Sequence, residues 1–310
     1  MNIHEEFFSR IGFSYLIFGL FALAVQILAI NIIGFINLDI IYNFNILTIL
    51  SAICNYVLPF PILYMLLKVI DTQPLKKQNL NIRTFLKYLA ITLTLMWIGN
   101  IIGLLLTEGI GILMHSEISN PVENLISSAD IWINLVLISI IAPIFEEIFF
   151  RKFLIDRTIK YGARVSIILS AILFGLFHGN LNQFFYAFLM GGFFAYVYMK
   201  TGKVIYTIGL HIIVNLLGSV VSLFVAGSID TLVGGTIDPI ALIIIFSYLG
   251  FFISAFIIGI VSIYKFKKSK LDEIKTRITM ENPLKNIILN PGMIFFILFF
   301  TFEIVYQLIS

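Results

Sequence analysis

The sequence predicts an all-α, polytopic transmembrane helix bundle with about eight to nine spans. Two observations carry this. Of the 310 residues 60% are hydrophobic and 12% charged, 31 are Phe, and mean hydropathy is +1.03, which leaves too few charges to solvate a water-soluble surface. Apolar runs also recur at about 17 to 25 residues, the length a helix needs to cross a hydrocarbon core. A span in lipid must satisfy its own backbone, and nothing alternates like a barrel strand, so each run reads as a helix.

The runs fall at 11–36, 46–70, 85–106, 131–155, 164–179, 183–199, 204–226, 239–264 and 292–309. The first is longer than a signal-peptide core and reads as a retained anchor. All 20 Lys and Arg residues lie outside the apolar cores or at their rims, and they alternate by connection. Arg10 precedes the first span; Lys68, Lys76, Lys77, Arg83 and Lys87 flank the second connection; Arg151, Lys152, Arg157, Lys160 and Arg164 flank the fourth; Lys200 and Lys203 flank the sixth. Seven more, from Lys265 to Lys285, fill the eighth, whereas 37–45, 107–130, 180–182 and 227–238 carry none. The positive-inside rule then expects a cytoplasmic N-terminus, an external C-terminus and a cavity opening towards the cytoplasmic half.

The chain reads as one membrane domain over 1–310, with no internal repeat. The mixed-charge segment 265–290 is expected to lie on the cytoplasmic surface as a tether for the last span. Cys54 is the single cysteine and sits in an apolar span, so no intrachain disulfide or thiolate-rich metal site is expected. Gly99 and Gly103, and the pair Gly191 and Gly192, are expected where helices approach closely.

Ionisable side chains at membrane depth are costly and are functional candidates by default. Glu146 and Glu147 end the fourth span just after Pro143, which cannot donate a backbone hydrogen bond, so the preceding turn is expected to be kinked or open. Successive helical positions differ by about 100°, so the two carboxylates diverge. Glu147 pairs with Arg151 one turn on, which frees Glu146 to face the bundle. His178 closes the fifth span. A turn near Tyr161 and Gly162 leaves Glu146 and His178 fifteen residues away on either arm, about 22 Å at 1.5 Å per residue, so a helical hairpin brings them level. That register makes the fifth and sixth spans short or partly submerged. His211 and Asn215 share one face of the seventh span and lie at a comparable depth. One carboxylate and two imidazoles are donor types that zinc takes in hydrolytic sites. His4 and His115 receive no role, and Glu303 in the last span is expected to reach outward.

These three elements, EEIFFR, FGLFH and HIIVN, resemble in order and on separate helices the EExxxR, FxxxH and HxxxN signature of the CAAX protease and bacteriocin-processing family, also called the Abi or type II CAAX endopeptidase family. The resemblance covers about 131–226 as a family core, with spans 11–106 and 239–309 as additions. It implies an intramembrane endopeptidase in which Glu146 activates water with His178 as its partner, His211 and Asn215 form a second cluster, and Glu147 and Arg151 give support.

Two mechanisms fit these residues. In one, Glu146, His178 and His211 hold zinc, whose bound water has a pKa of about 7. In the other, Glu146 and His178 activate water directly while His211 and Asn215 donate to the oxyanion. The expected partners are the lipid bilayer and a peptide or membrane-protein substrate, with no nucleic acid. The Ile-, Asn- and Lys-rich composition points to an AT-rich bacterial genome and a plasma-membrane location, hence to peptide maturation or bacteriocin self-immunity rather than prenyl-CAAX processing. Two competing classes are an ion-coupled transporter, which the lack of a repeat disfavours, and a catalytically silent immunity or scaffold protein.

Overall fold

The computed structural model describes residues 1–265 and 278–309. The chain is a bundle of helices, and among the described residues there is no strand. Apart from one helical turn at Leu38–Ile41, these are in order α1 (Ile3–Ile36), α2 (Phe44–Leu67), α3 (Ile82–Met114), α4 (Pro121–Ser128), α5 (Ile131–Tyr161), α6 (Ala163–Phe177), α7 (Leu181–Thr201), α8 (Val204–Val233), α9 (Pro239–Tyr264), α10 (Pro283–Ile287) and α11 (Pro291–Ile309). Seven are long and apolar enough to span a membrane: α1, α2, α3, α5, α8, α9 and α11. The protein is therefore a multi-pass membrane protein. α1 starts eight residues before the apolar run because Asn2 and Glu5 form a reciprocal capping box.

The fifth and sixth expected spans form the α6–α7 hairpin. With 15 residues α6 rises about 22 Å, short of a core about 30 Å thick. Gly179 turns the chain at φ +62°, a left-handed conformation that favours glycine. Gly99 and Gly103 press α3 against the α7 backbone; a Cβ on Gly103 would lie 2.8 Å from the Asn182 carbonyl oxygen. A Cβ on Gly191 would lie 3.0 Å from the Phe174 ring of α6, whereas one on Gly192 would meet only ordinary contacts, the nearest at 3.6 Å.

The connections sort by charge. At one end, Gln73 N–H donates to the Asp156 carbonyl (2.6 Å), Gln78 N–H to Thr201 (2.7 Å) and Ile278 N–H to Lys160 (3.1 Å), while Lys285 pairs with Glu5 at 3.2 Å. At the other, Asn45 of α2 bonds Asp130, and Gln307 donates to the Ser119 carbonyl at 3.1 Å. The Lys/Arg-bearing connections thus meet one another, and the Lys/Arg-free ones do likewise. The proposed surface tether at 265–290 is described only in part, since 266–277 lie outside the described residues.

Two aromatic-rich cores flank the middle of the bundle. Phe8, Phe18, Phe149, Phe174, Phe296 and Phe300 join α1, α5, α6 and α11. Tyr88, Phe194, Leu210 and Phe252 join α3, α7, α8 and α9.

Candidate active site

The candidate residues lie where these cores meet, on a stretch of α5 whose winding is not uniform. Residues Asn134–Ile141 and Ile148–Phe153 are π-helical, with i to i+5 bonding, and the α-helical turn between them carries the two carboxylates. Pro143 explains part of this. In the π register the Ile138 carbonyl would accept from residue 143, and proline has no N–H to give. Asn215 of α8 fills the gap by donating Nδ2 to that carbonyl at 2.9 Å. Other side chains close carbonyls of the second π-helical run: the Tyr15 hydroxyl donates to Phe149 (2.6 Å) and Ser170 to Phe150 (2.9 Å). Wide turns of this kind collect at functional sites.

Glu147 and Arg151 pair at 3.0 Å, and neither side chain is exposed. The charge pattern counts Arg151 among the rim residues; the structure corrects this. Arg151 lies inside the bundle, 4.4 Å from the Phe174 ring centroid and bonded to Ser170 at 3.3 Å. Burial is tolerable because the carboxylate, the hydroxyl and the ring faces take up its charge.

His211 joins both carboxylates. Its Nδ1 is 3.0 Å from Glu147 Oε1, and its Nε2 faces Glu146 Oε2 at 3.6 Å, beyond hydrogen-bond reach. The 100° divergence of the two Glu residues is thus matched by the divergent nitrogens of one imidazole. Phe174 and Phe194 pack on that ring, with centroids 5.8 and 5.5 Å away. The other oxygen of Glu146 accepts from the Tyr56 hydroxyl of α2 at 2.7 Å. His178 Nδ1 lies 2.7 Å from the Phe174 carbonyl. A carbonyl only accepts, so Nδ1 carries the proton and Nε2 keeps its lone pair.

Glu146, His178, His211 and Asn215 line one cavity of about 450 Å3. Its remaining wall comes from α1, α2, α7 and α11, from other residues of α5 and α6, and from Pro121, Val122 and Leu125 of α4. This corrects the expected access side. The cavity extends from the Glu146 level towards the Lys/Arg-free connections, because the short α6–α7 hairpin turns back in mid-bundle and leaves the space beyond it unfilled. Charge orients helices without saying at which end they part. Glu303 departs from expectation too. It is half-buried and lines the same cavity rather than reaching outward. Tyr56 was missed in the sequence, where the polar pair Asn55 and Tyr56 within an apolar run was the available signal.

The donors suit zinc by type, but their placement does not gather them. Among the described residues no three His, Cys, Asp or Glu side chains are grouped to hold an ion. His211 spends Nδ1 on Glu147, and one Glu146 oxygen is held by Tyr56.

Two carboxylates and two histidines around one cavity, with His211 held by Glu147, are residue types that hydrolytic sites use. Residues 128–217, which include all six candidate positions, match the Rce1-like family model, described as type II CAAX prenyl endopeptidase Rce1-like. Over this segment the chain is similar to the type II CAAX prenyl endopeptidases. A Bacillus subtilis (strain 168) protein named "Putative membrane peptidase YdiL" is 29% identical over 106 residues, covering 34% of this chain and 43% of that relative. The chain thus spans less than half the length of the curated relative it matches. No solved structure gives a significant match.

Proposed function

We propose that the protein is an intramembrane endopeptidase that cleaves a peptide or membrane-protein substrate in the bacterial plasma membrane. The observation that carries the reading is the bridge of Glu146, His211 and Glu147, with the His178 Nε2 lone pair in the same cavity. Water adds to the scissile carbonyl as its proton passes to Glu146, whose carboxylate Tyr56 holds in place. His178 Nε2 accepts from that water and fixes its direction. His211, oriented through Nδ1 by Glu147, turns Nε2 towards the place of the tetrahedral oxyanion, where one well-placed donor contributes about 3–4 kcal/mol. Collapse breaks the C–N bond, and Glu146 returns the proton to the leaving amine. Arg151 holds Glu147, and Asn215 holds the π-helical turn above it.

Zinc held by Glu146, His178 and His211 is a second proposal, supported by the donor types and by the family resemblance. The composition supports peptide maturation or bacteriocin self-immunity over prenyl-CAAX processing.

The test is cleavage of an apolar peptide library in proteoliposomes, read by mass spectrometry for wild type and Glu146→Gln, with metal analysis of both. Products from wild type alone, unchanged by strong chelators and without bound metal, support direct water activation. Chelator-sensitive cleavage with stoichiometric zinc moves the mechanism to the metal. Absence of Glu146-dependent cleavage across the library overturns the peptidase reading.

A further inference from the structure

Among the described residues, the wall of the cavity carries two carboxylates, Glu146 and Glu303, and no Lys or Arg. Glu147, the third carboxylate nearby, already has Arg151. Glu303 has no ion-pair or hydrogen-bond partner among the described residues. Its carboxylate sits beside the turn that follows His178: a Cβ on Gly179 would meet Glu303 Oε2 at 3.1 Å. An unpaired carboxylate at membrane depth is expensive and asks for a cationic partner that the described residues do not provide. A concave, low-dielectric wall of one sign also concentrates cations and repels anions. The surrounding lining is neutral: Gln26 and Asn55 offer amides, while Phe299, Phe300 and Met190 are apolar.

We infer that Glu303 is a specificity residue, the acceptor for a cationic group of the peptide substrate. The occupant is an apolar peptide bearing one ammonium or guanidinium, from a Lys or Arg side chain or from a free N-terminus. The same wall gives a C-terminal carboxylate no counter-ion, so peptides that present one at this end of the cavity are disfavoured. This deepens the peptidase reading and rests on it only for the fate of the bound peptide. Glu303 lies outside the segment matched to the family, residues 128–217.

Binding is measured by fluorescence anisotropy on the Glu146→Gln variant in nanodiscs, which does not cut and which leaves Glu303 as the unpaired carboxylate of the wall. Four labelled apolar decapeptides serve as probes: N-acetylated with one central Lys, with norleucine there, or with Glu there, and the norleucine peptide with a free N-terminus. Glu146→Gln should bind the Lys or the free-amine peptide about tenfold or more tightly than the acetylated norleucine peptide, the scale of one charge-assisted hydrogen bond. Which of the two it prefers identifies the source of the cation. Adding Glu303→Gln should bring all four within about twofold, and adding Glu303→Lys should turn the preference towards the Glu peptide. Equal affinity for all four peptides in Glu146→Gln overturns the inference, before any Glu303 variant is needed. A cation preference that survives Glu303→Gln overturns it too. Failure of the wild type to cleave peptides that Glu146→Gln binds selectively counts against the peptidase reading alone; Glu146-dependent cleavage indifferent to the cation counts against this inference alone.

Discussion

Replacing Arg151 by Met keeps most of its volume and removes its charge, leaving Glu147 uncompensated inside the bundle. The pair is separated by 3.0 Å with neither side chain exposed, so two unit charges attract by about 5 kcal/mol at an effective dielectric constant of about 20. Removing one partner of such a pair typically costs about 3–5 kcal/mol. The bond to Ser170 and the packing on Phe174 and Phe194 are lost with it. In detergent, Arg151→Met should melt about 6–20 °C below wild type. The double variant Glu147→Gln, Arg151→Met removes both charges and keeps an oxygen for His211 Nδ1, so it should recover more than half of that loss. It should not recover activity to the same degree, since a neutral amide orients His211 less firmly than a carboxylate. A single variant that melts within a degree or so of wild type, or a double variant no better than the single, would refute the buried-pair argument.

Asn215→Ala strips the Ile138 carbonyl of its donor at a point where Pro143 offers none, and should cost about 1–3 kcal/mol, read as a lower melting temperature; unchanged stability would place the bond outside the energetics of the π-helical turn. For topology, single cysteines in a Cys54→Ala background at the exposed positions Lys77 and Lys285 should resist an impermeant reagent in intact cells, while Ser119 and Thr236, also exposed, should react. The opposite labelling would invert the orientation and move the mouth of the cavity to the cytoplasmic face.

The helices and their alternating charge were readable because lipid imposes a strict length and because Lys and Arg gather at one end. The Glu147–Arg151 pair followed from one turn of spacing, and the two equal hairpin arms agree with Glu146 and His178 lining one cavity. The bridging role of His211 was not readable: spacing says which faces residues share within a helix, not which nitrogen of a ring on another helix meets which carboxylate. In one of the two expected mechanisms Asn215 donates to the oxyanion; one of the two N–H groups of its Nδ2 goes to the Ile138 carbonyl. That contact depends on π-helical winding, which sequence period does not reveal. Tyr56 and Glu303 come from spans outside the motif segment, and only tertiary packing brings them to the cavity.

The central claim is that Glu146 takes a proton from the attacking water. Its most direct measure is the initial cleavage rate per folded enzyme, wild type against Glu146→Gln, on one peptide in proteoliposomes. Gln is isosteric, still accepts from the Tyr56 hydroxyl through its carbonyl, and cannot take the proton. A loss of about a hundredfold or more, with melting temperature and peptide affinity retained, is the predicted result. Equal rates in the two enzymes would contradict it.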